Sequence, residues 1–225
     1  MGHRQFRRVA REWSMPRFAR LAFTPAVKAL QEQFGSRAAY ARVERAGDAP
    51  DVIGPDETAF LSERDSFYMA SVGAQGWPYI QHRGGPPGFV RVLDAHTLGF
   101  ADYRGNKQYI SAGNVSENDR VALIFVDYPN RARLKVLAHA SVITRETDAA
   151  TLDRLVVPGH GAKVERGFVL RVEGFDWNCP QHITPRFTEA EVDTAMRPMV
   201  SELHTLRAEN RALREELARL KRSPV

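Results

Sequence analysis

Seven short runs rich in Val, Ile, Phe and Tyr constrain the fold of this chain more than any other feature. They are Ser66–Val72, Trp77–His82, Gly88–Leu93, Thr97–Ala101, Arg120–Tyr128, Leu134–Ile143 and Phe168–Trp177, separated by turn signals such as Gly73-Ala-Gln-Gly76, Asp94-Ala-His96 and Pro129-Asn130. Hairpin spacing between most of them predicts antiparallel pairing, and few long helices intervene to carry parallel crossovers. A sheet of this size is expected to close into a barrel, which removes its exposed edges. The fold class is therefore mainly β with flanking helices, an α+β arrangement.

Helical signals surround and interrupt the strands. Residues 1–23 read as a basic arm with scattered aromatics, Phe6, Trp13, Phe18 and Phe23. Thr24-Pro25 reads as an N-cap and first helical residue of a helix that stops at Gly35, and Ser36 as the start of a second helix over 37–45. A short helix is expected around 56–61, another over Lys107–Glu117 and a third over about Ala149–Val156. Three regions follow: an N-terminal arm with short helices over 1–50, a barrel over 51–186, and a C-terminal helix over 187–225.

In that last region the apolar positions alternate in steps of four and three. With Met196 at position a of a heptad, Leu203, Asn210 and Leu217 also fall at a, while Met199, Leu206, Leu213 and Leu220 fall at d. Glu202, Glu209 and Glu216 occupy g, and the e residues that follow are Arg207, Arg214 and Lys221. A parallel dimeric coiled coil is the expectation; an amphipathic helix packed on its own barrel is the alternative.

The net charge of +5 is unevenly distributed: residues 1–50 hold ten Lys/Arg against four Asp/Glu, while 187–225 balance at seven each. A basic excess confined to the N-terminal segment, with none on the folded body, argues against a nucleic-acid partner. No apolar run approaches a membrane span, and the start of the chain lacks the apolar stretch of a secretory signal, so no membrane association and a cytoplasmic location are expected. The one cysteine, Cys179, excludes an intrachain disulfide and a multi-cysteine metal site, and is read as a partly buried thiol beside Pro180. His82, His139, His160 and His182 are scattered, and Cys179 with His182 cannot complete a zinc site, so no metal is expected. Nor does anything orient Asp176, Cys179 and His182 as nucleophile, base and orienting group.

One stretch offers chemistry. A bound phosphate needs positive charge, directional donors and a backbone that approaches closely; Arg104-Gly-Asn-Lys107 at a strand-to-helix junction supplies all three. Arg83 follows another strand, beside the sharp Gly84-Gly-Pro-Pro-Gly88 turn, and an antiparallel sheet can bring the two sites together. On physics alone the same residues also suit solvated charges around turns. Neither a Rossmann glycine pattern nor a P-loop is present.

The segments Phe67-Tyr-Met-Ala-Ser-Val-Gly-Ala-Gln-Gly-Trp-Pro78, Leu98-Gly-Phe-Ala-Asp-Tyr-Arg-Gly-Asn-Lys-Gln-Tyr-Ile110 and Asn114-Val-Ser-Glu-Asn-Asp-Arg-Val-Ala-Leu-Ile-Phe125 resemble the pyridoxamine 5′-phosphate oxidase-related FMN-binding split barrels, over about residues 55–185. That resemblance implies a split β-barrel, FMN as cofactor, and a homodimer with the flavin at the subunit interface. Lys107 resembles the lysine that reaches the FMN phosphate, Phe100 and Ala101 the strand pair flanking the flavin, and Tyr103 lies in the turn between strand and helix. Gln81, His82 and Arg83 fall where members of the family offer strand residues and an arginine; Arg104 and Asn106 complete the expected cofactor set. The chain departs from the oxidase itself, which carries a compact Arg-x-x-Leu-Leu-Lys pattern where this sequence has Gln81-His-Arg-Gly-Gly-Pro-Pro87. It also lacks the oxidase's C-terminal Trp and Arg pattern, offering Phe175-Asp-Trp-Asn-Cys-Pro-Gln-His182 instead.

The implied function is an FMN-binding oxidoreductase of unassigned substrate, in which the isoalloxazine exchanges electrons between an organic donor, NADH or NADPH and an acceptor. No catalytic side chain need then be identified, since the cofactor carries the chemistry. Arg131 and Arg133, with Trp177 and His182, are the candidates for an anionic substrate or the flavin edge. Two alternatives remain open: a non-catalytic flavin-binding or sensing module, and a deazaflavin- or haem-binding protein on the same barrel.

Overall fold

A computed structural model of the chain describes residues 16–44, 49–177 and 181–222. Cys179 and the first fifteen residues of the expected basic arm lie outside these described residues. The remainder of that arm is not extended: Pro16–Ala22 forms a helix, α1. It is followed by α2 (Pro25–Gln33), α3 (Arg37–Val43) and α4 (Pro55–Ser62). Thr24 caps α2 by accepting the Val27 N–H at 3.4 Å, and Gly35 leaves the helix at φ +75°.

Seven strands follow: β1 (Ser66–Val72), β2 (Pro78–Gly84), β3 (Val90–Asp94), β4 (Thr97–Tyr103), β5 (Arg120–Asp127), β6 (Ala132–Ile143) and β7 (Val164–Trp177). Helix α5 (Ile110–Glu117) separates β4 from β5, and α6 (Arg145–Leu155) separates β6 from β7. Every pairing is antiparallel, in the order β2-β1-β5-β6-β7-β4-β3. The chain thus forms a split barrel: β2 lies at one end of the hydrogen-bonded order, yet its Arg83 reaches Asp102 on β4 near the other end.

Phenylalanines fill the interior. Phe67 on β1 lies 4.9 Å from Phe125 on β5 and 5.1 Å from Phe100 on β4, which stacks at 5.0 Å on Phe168 of β7. All four are at most 1% exposed, and each contributes roughly 1.5–3 kcal/mol on burial. Because they come from strands that are distant in sequence, they unite the two halves of the barrel.

Two helix boundaries differ from the sequence expectation. Helix α5 begins at Ile110 rather than Lys107, because Lys107 (φ 61°) and Tyr109 (φ 56°) adopt left-handed conformations that a helix does not contain. The Asn106 side-chain oxygen diverts the chain by accepting the Gln108 N–H at 3.2 Å. Helix α6 starts early, at Arg145, but it kinks at Asp148 (φ −156°), whose carboxylate accepts the Thr151 N–H at 2.9 Å. The expected helix over 149–156 corresponds to the segment after this kink.

The described chain divides into two compact units, one comprising the residues up to Asp127 with Arg131–His182, the other Tyr128–Asn130 with the residues from Ile183 onward. The second is dominated by α7 (Glu189–Arg222), 34 residues long and without a buried side chain. Thr188 and Glu191 start it with a reciprocal capping box: the Glu191 carboxylate accepts the Thr188 N–H at 2.7 Å, and the Thr188 hydroxyl accepts the Glu191 N–H at 3.3 Å. Within this unit the Arg186 guanidinium lies 5.0 Å over the Tyr128 ring.

Candidate functional site

Strand β2 alternates exposed and half-buried residues along its length, with Tyr79, Gln81 and Arg83 on the less exposed face and Ile80 and His82 on the other. Gln81 and Arg83 line a cleft of about 210 Å³ together with Asp102 and Tyr103 from the end of β4, Gly105, Asn106 and Lys107 from the following loop, Ser111 on α5 and Glu165 on β7. The sheet thereby brings the two basic sites of the sequence to one place.

The guanidinium of Arg83 donates to Asp102 and lies over two aromatic faces, 5.1 Å from Phe168 and 5.7 Å from Phe100. Asp102 also meets Arg166 at 3.5 Å, and Glu165 meets both Arg104 at 3.5 Å and Arg166 at 3.3 Å. Burial holds the Asp102 carboxyl above the usual carboxylate range even though the guanidinium groups of Arg83 and Arg166 pull it down. The same burial lowers Arg83 against the pull of Asp102. Among the described residues, the Nε atoms of Arg83 and Arg166 and the Tyr103 hydroxyl are buried without a hydrogen-bond partner. Lys107 lines the cleft with no carboxylate partner among the described residues.

Arg83 and Lys107 line the cleft with two carboxylates, Asp102 and Glu165, and those carboxylates are also paired from outside the lining by Arg104 and Arg166, so the cluster as a whole carries a surplus of two positive charges. A phosphate monoester carries about −1.5 to −2 at neutral pH, so charge and donor chemistry both fit one. The hydroxyl of Ser111 donates to the Gln81 side-chain oxygen at 2.9 Å, fixing the amide at the cleft wall.

The other expected cofactor residues are placed differently. His82 points to the opposite face of β2 and packs edge-on against Tyr68 at 5.4 Å, because adjacent strand residues alternate sides. Phe100 and Ala101 are 1% and 2% exposed and belong to the core, where Phe100 supports Arg83 from beneath. Arg104 stands at the rim through its ion pair with Glu165. None of the candidates for the flavin edge lines the cleft. Trp177 ends the 14-residue β7 that Val164 begins, donates from its indole N–H to Glu57 at 2.9 Å and packs on Phe60 at 4.8 Å. Arg133 precedes Leu134, the cross-strand neighbour of Trp177; Arg131 sits in the β5–β6 turn at φ 54°, and His182 is exposed at φ 64°.

Asp102, Ser111, Glu165 and Arg166 were not anticipated. Asp102 and Arg166 are cross-strand partners in the β4–β7 register, a pairing that no local pattern signals. Among the described residues no group of His, Cys, Asp or Glu is arranged to hold a metal ion. No helix among them is long and apolar enough to cross a membrane.

A family model described as pyridoxamine 5′-phosphate oxidase matches residues 54–170, the interval that holds the whole cleft. Among solved structures, the chain is 23% identical to a putative pyridoxamine 5′-phosphate oxidase from Lactobacillus delbrueckii, with TM-score 0.42 over 59% of this chain and 97% of that one. It is 17% identical to HupZ of Group A Streptococcus, with TM-score 0.45 over 60% and 99%. An FMN-binding protein from Syntrophomonas wolfei is 11% identical, with TM-score 0.42 over 68% and 97%. No curated protein matches the chain.

Proposed function

The chain belongs to the pyridoxamine 5′-phosphate oxidase family, and from that premise we propose that it binds FMN through the Lys107 cleft and works as an FMN-dependent oxidoreductase. The observation that carries this reading is the cluster of four cations against two carboxylates in and around the cleft, a surplus that suits a phosphate monoester. Lys107, without a carboxylate of its own among the described residues, is the group free to engage the phosphate. Arg83 and Arg166 supply a fixed positive field, already oriented by Asp102 and by aromatic faces, so little reorganisation is needed when the anion arrives. Gln81, held by Ser111, offers an amide at the wall. When bound, FMN supplies hydride and electron transfer; the protein's own part is to bind, orient and desolvate it.

A second copy of the chain completes the site in this reading. About 210 Å³ is below the roughly 300–1,000 Å³ typical of small-molecule pockets, so the cleft of one chain receives only part of a flavin nucleotide. The outward face of β1 and β2 and the turn between them expose Tyr68, Trp77 and Ile80, Trp77 to 78% and Ile80 to 65%, an apolar surface suited to a partner barrel.

Titration of the purified protein with FMN tests the assignment. Lys107→Ala is expected to weaken FMN binding by about 10–100-fold, the worth of one charge-assisted hydrogen bond, without altering the dimer. Unchanged affinity would remove Lys107 from the phosphate site. A flavin absorbance spectrum that persists through purification supports the reading, whereas a Soret band or a deazaflavin spectrum would displace FMN. Turnover of NADH or NADPH with an electron acceptor separates an enzyme from a flavin-binding module.

A further inference from the structure

We propose that α7 is one strand of a parallel, in-register, two-stranded coiled coil whose partner is the α7 of a second copy of this chain. This is independent of flavin binding.

An apolar seam runs along α7, exposed among the described residues. Met199, Leu206, Leu213 and Leu220 at d are 66%, 54%, 64% and 67% exposed, and Met196, Leu203 and Leu217 at a are similarly open. A helix of 34 residues keeps such a stripe out of water only against a partner. The flanking charges identify that partner. In a parallel pair each g residue faces the following e residue of the other helix, so Glu202 meets Arg207, Glu209 meets Arg214 and Glu216 meets Lys221, each contact occurring twice by symmetry. In an antiparallel pair g faces g and e faces e, and every one of these contacts becomes a like-charge clash. Asn210 at a adds register: its amide finds a hydrogen-bonding partner across the seam only when the two chains align residue for residue, and a single buried Asn favours two strands over three. A different protein could fill the stripe, but self-complementary g and e charges are what a second copy requires.

Pro198 is compatible with this packing. It lies inside α7 at heptad position c, away from the seam; it removes the backbone hydrogen bond that its nitrogen would have made to Thr194 and its ring crowds the Thr194 carbonyl, a local disturbance near the start of the heptads. The 24 residues from Met199 to Arg222 continue beyond it as uninterrupted helix.

Cross-linking in the full-length chain tests the arrangement, with Cys179→Ser as background and either Leu206→Cys or Leu220→Cys as the single thiol. A parallel in-register pair places each d residue beside its own copy, so both variants are expected to form disulfide-linked dimers under mild oxidation. An antiparallel pair can bring at most one of the two positions into self-contact, and that result would overturn the proposal. So would a trimer by light scattering, or the absence of self-links at both positions. Charge reversal gives a second readout that does not depend on the barrel: Glu202→Lys/Glu209→Lys/Glu216→Lys and Arg207→Glu/Arg214→Glu/Lys221→Glu, each combined with Leu220→Cys. Each set alone is expected to lose at least ten-fold in cross-linked yield, and mixing the two to restore it as a heterodimer. Yields unchanged by either set, or no recovery on mixing, would exclude g–e′ pairing between copies of this chain.

Discussion

Arg83 sits between a carboxylate and two aromatic rings, so its charge is satisfied before any ligand arrives. Removing Asp102 leaves that guanidinium buried without its nearest counter-charge, and Asp102→Ala is expected to lower stability by about 3–5 kcal/mol in urea unfolding. Lys107→Ala, at an exposed position, should leave stability unchanged while weakening FMN, so the two variants separate the role of scaffold from that of ligand contact. Glu173 makes a different kind of prediction. It accepts two N–H bonds from Arg17, at 3.1 and 2.8 Å, and a third from Arg171 at 2.7 Å. These hold its carboxyl below the ordinary value near 4.5 despite burial. A depressed carboxylate contributes stability above its unfolded value and loses it as pH falls through the folded one. Wild type is therefore expected to exceed Glu173→Gln in stability at neutral pH, the gap closing below about pH 4.5, where the unfolded carboxylate begins to take up protons. Denaturation curves at several pH values check this. Lys107, Arg83 and Gln81 were legible in the sequence because charge beside glycine-rich turns at strand ends is a local signal. Asp102, Glu165 and Arg166 were not, since they become neighbours of Arg83 only when β2, β4 and β7 meet. Strand alternation sends His82, between Gln81 and Arg83, to the opposite face from the cleft, a distinction that a contiguous motif does not register.

Helix α1 and strand β7 meet without room to spare. A Cβ on Gly174 would lie 2.6 Å from the Phe18 backbone nitrogen and 2.8 Å from its Cα, both main-chain atoms that cannot swing aside. Gly174→Ala is expected to push α1 outward, raising hydrogen exchange there while the sheet stays protected. Exchange confined to the barrel would contradict the packing. Strand β1 occupies the residues its composition and flanking turn signals suggest, and β7 extends four residues earlier than its apolar run, because Val164-Glu-Arg-Gly167 pairs with the end of β4 despite its polarity. Helix α5 starts late because a side-chain turn at Asn106 competes with the helix, a contest that periodicity does not register.

At the scale of the whole chain, the two compact units have different stabilising sources. The barrel has an internal core, whereas α7 has no buried side chain of its own. With its seam covered by a second copy, α7 should melt at a temperature that rises with protein concentration. Circular dichroism of the full chain at several concentrations checks this, and a melt independent of concentration would mean that each helix stands alone. Strand order carries one more consequence, for synthesis. The β1–β2 and β3–β4 hairpins are complete early in the sequence, yet they are joined only through β5, β6 and β7. As the chain leaves the ribosome, two small ribbons emerge with open edges, each too small to be stable alone. The first can pair with β5 and β6 as they emerge, but the two halves become one sheet only when β7 arrives beside β4. Only then are Phe100 and Phe168 stacked beneath Arg83, and only then does Arg166 stand beside Asp102. The phosphate cleft is among the last parts of the newborn protein to exist, and a nascent chain halted before Val164 would carry most of the cleft's residues without being able to assemble them.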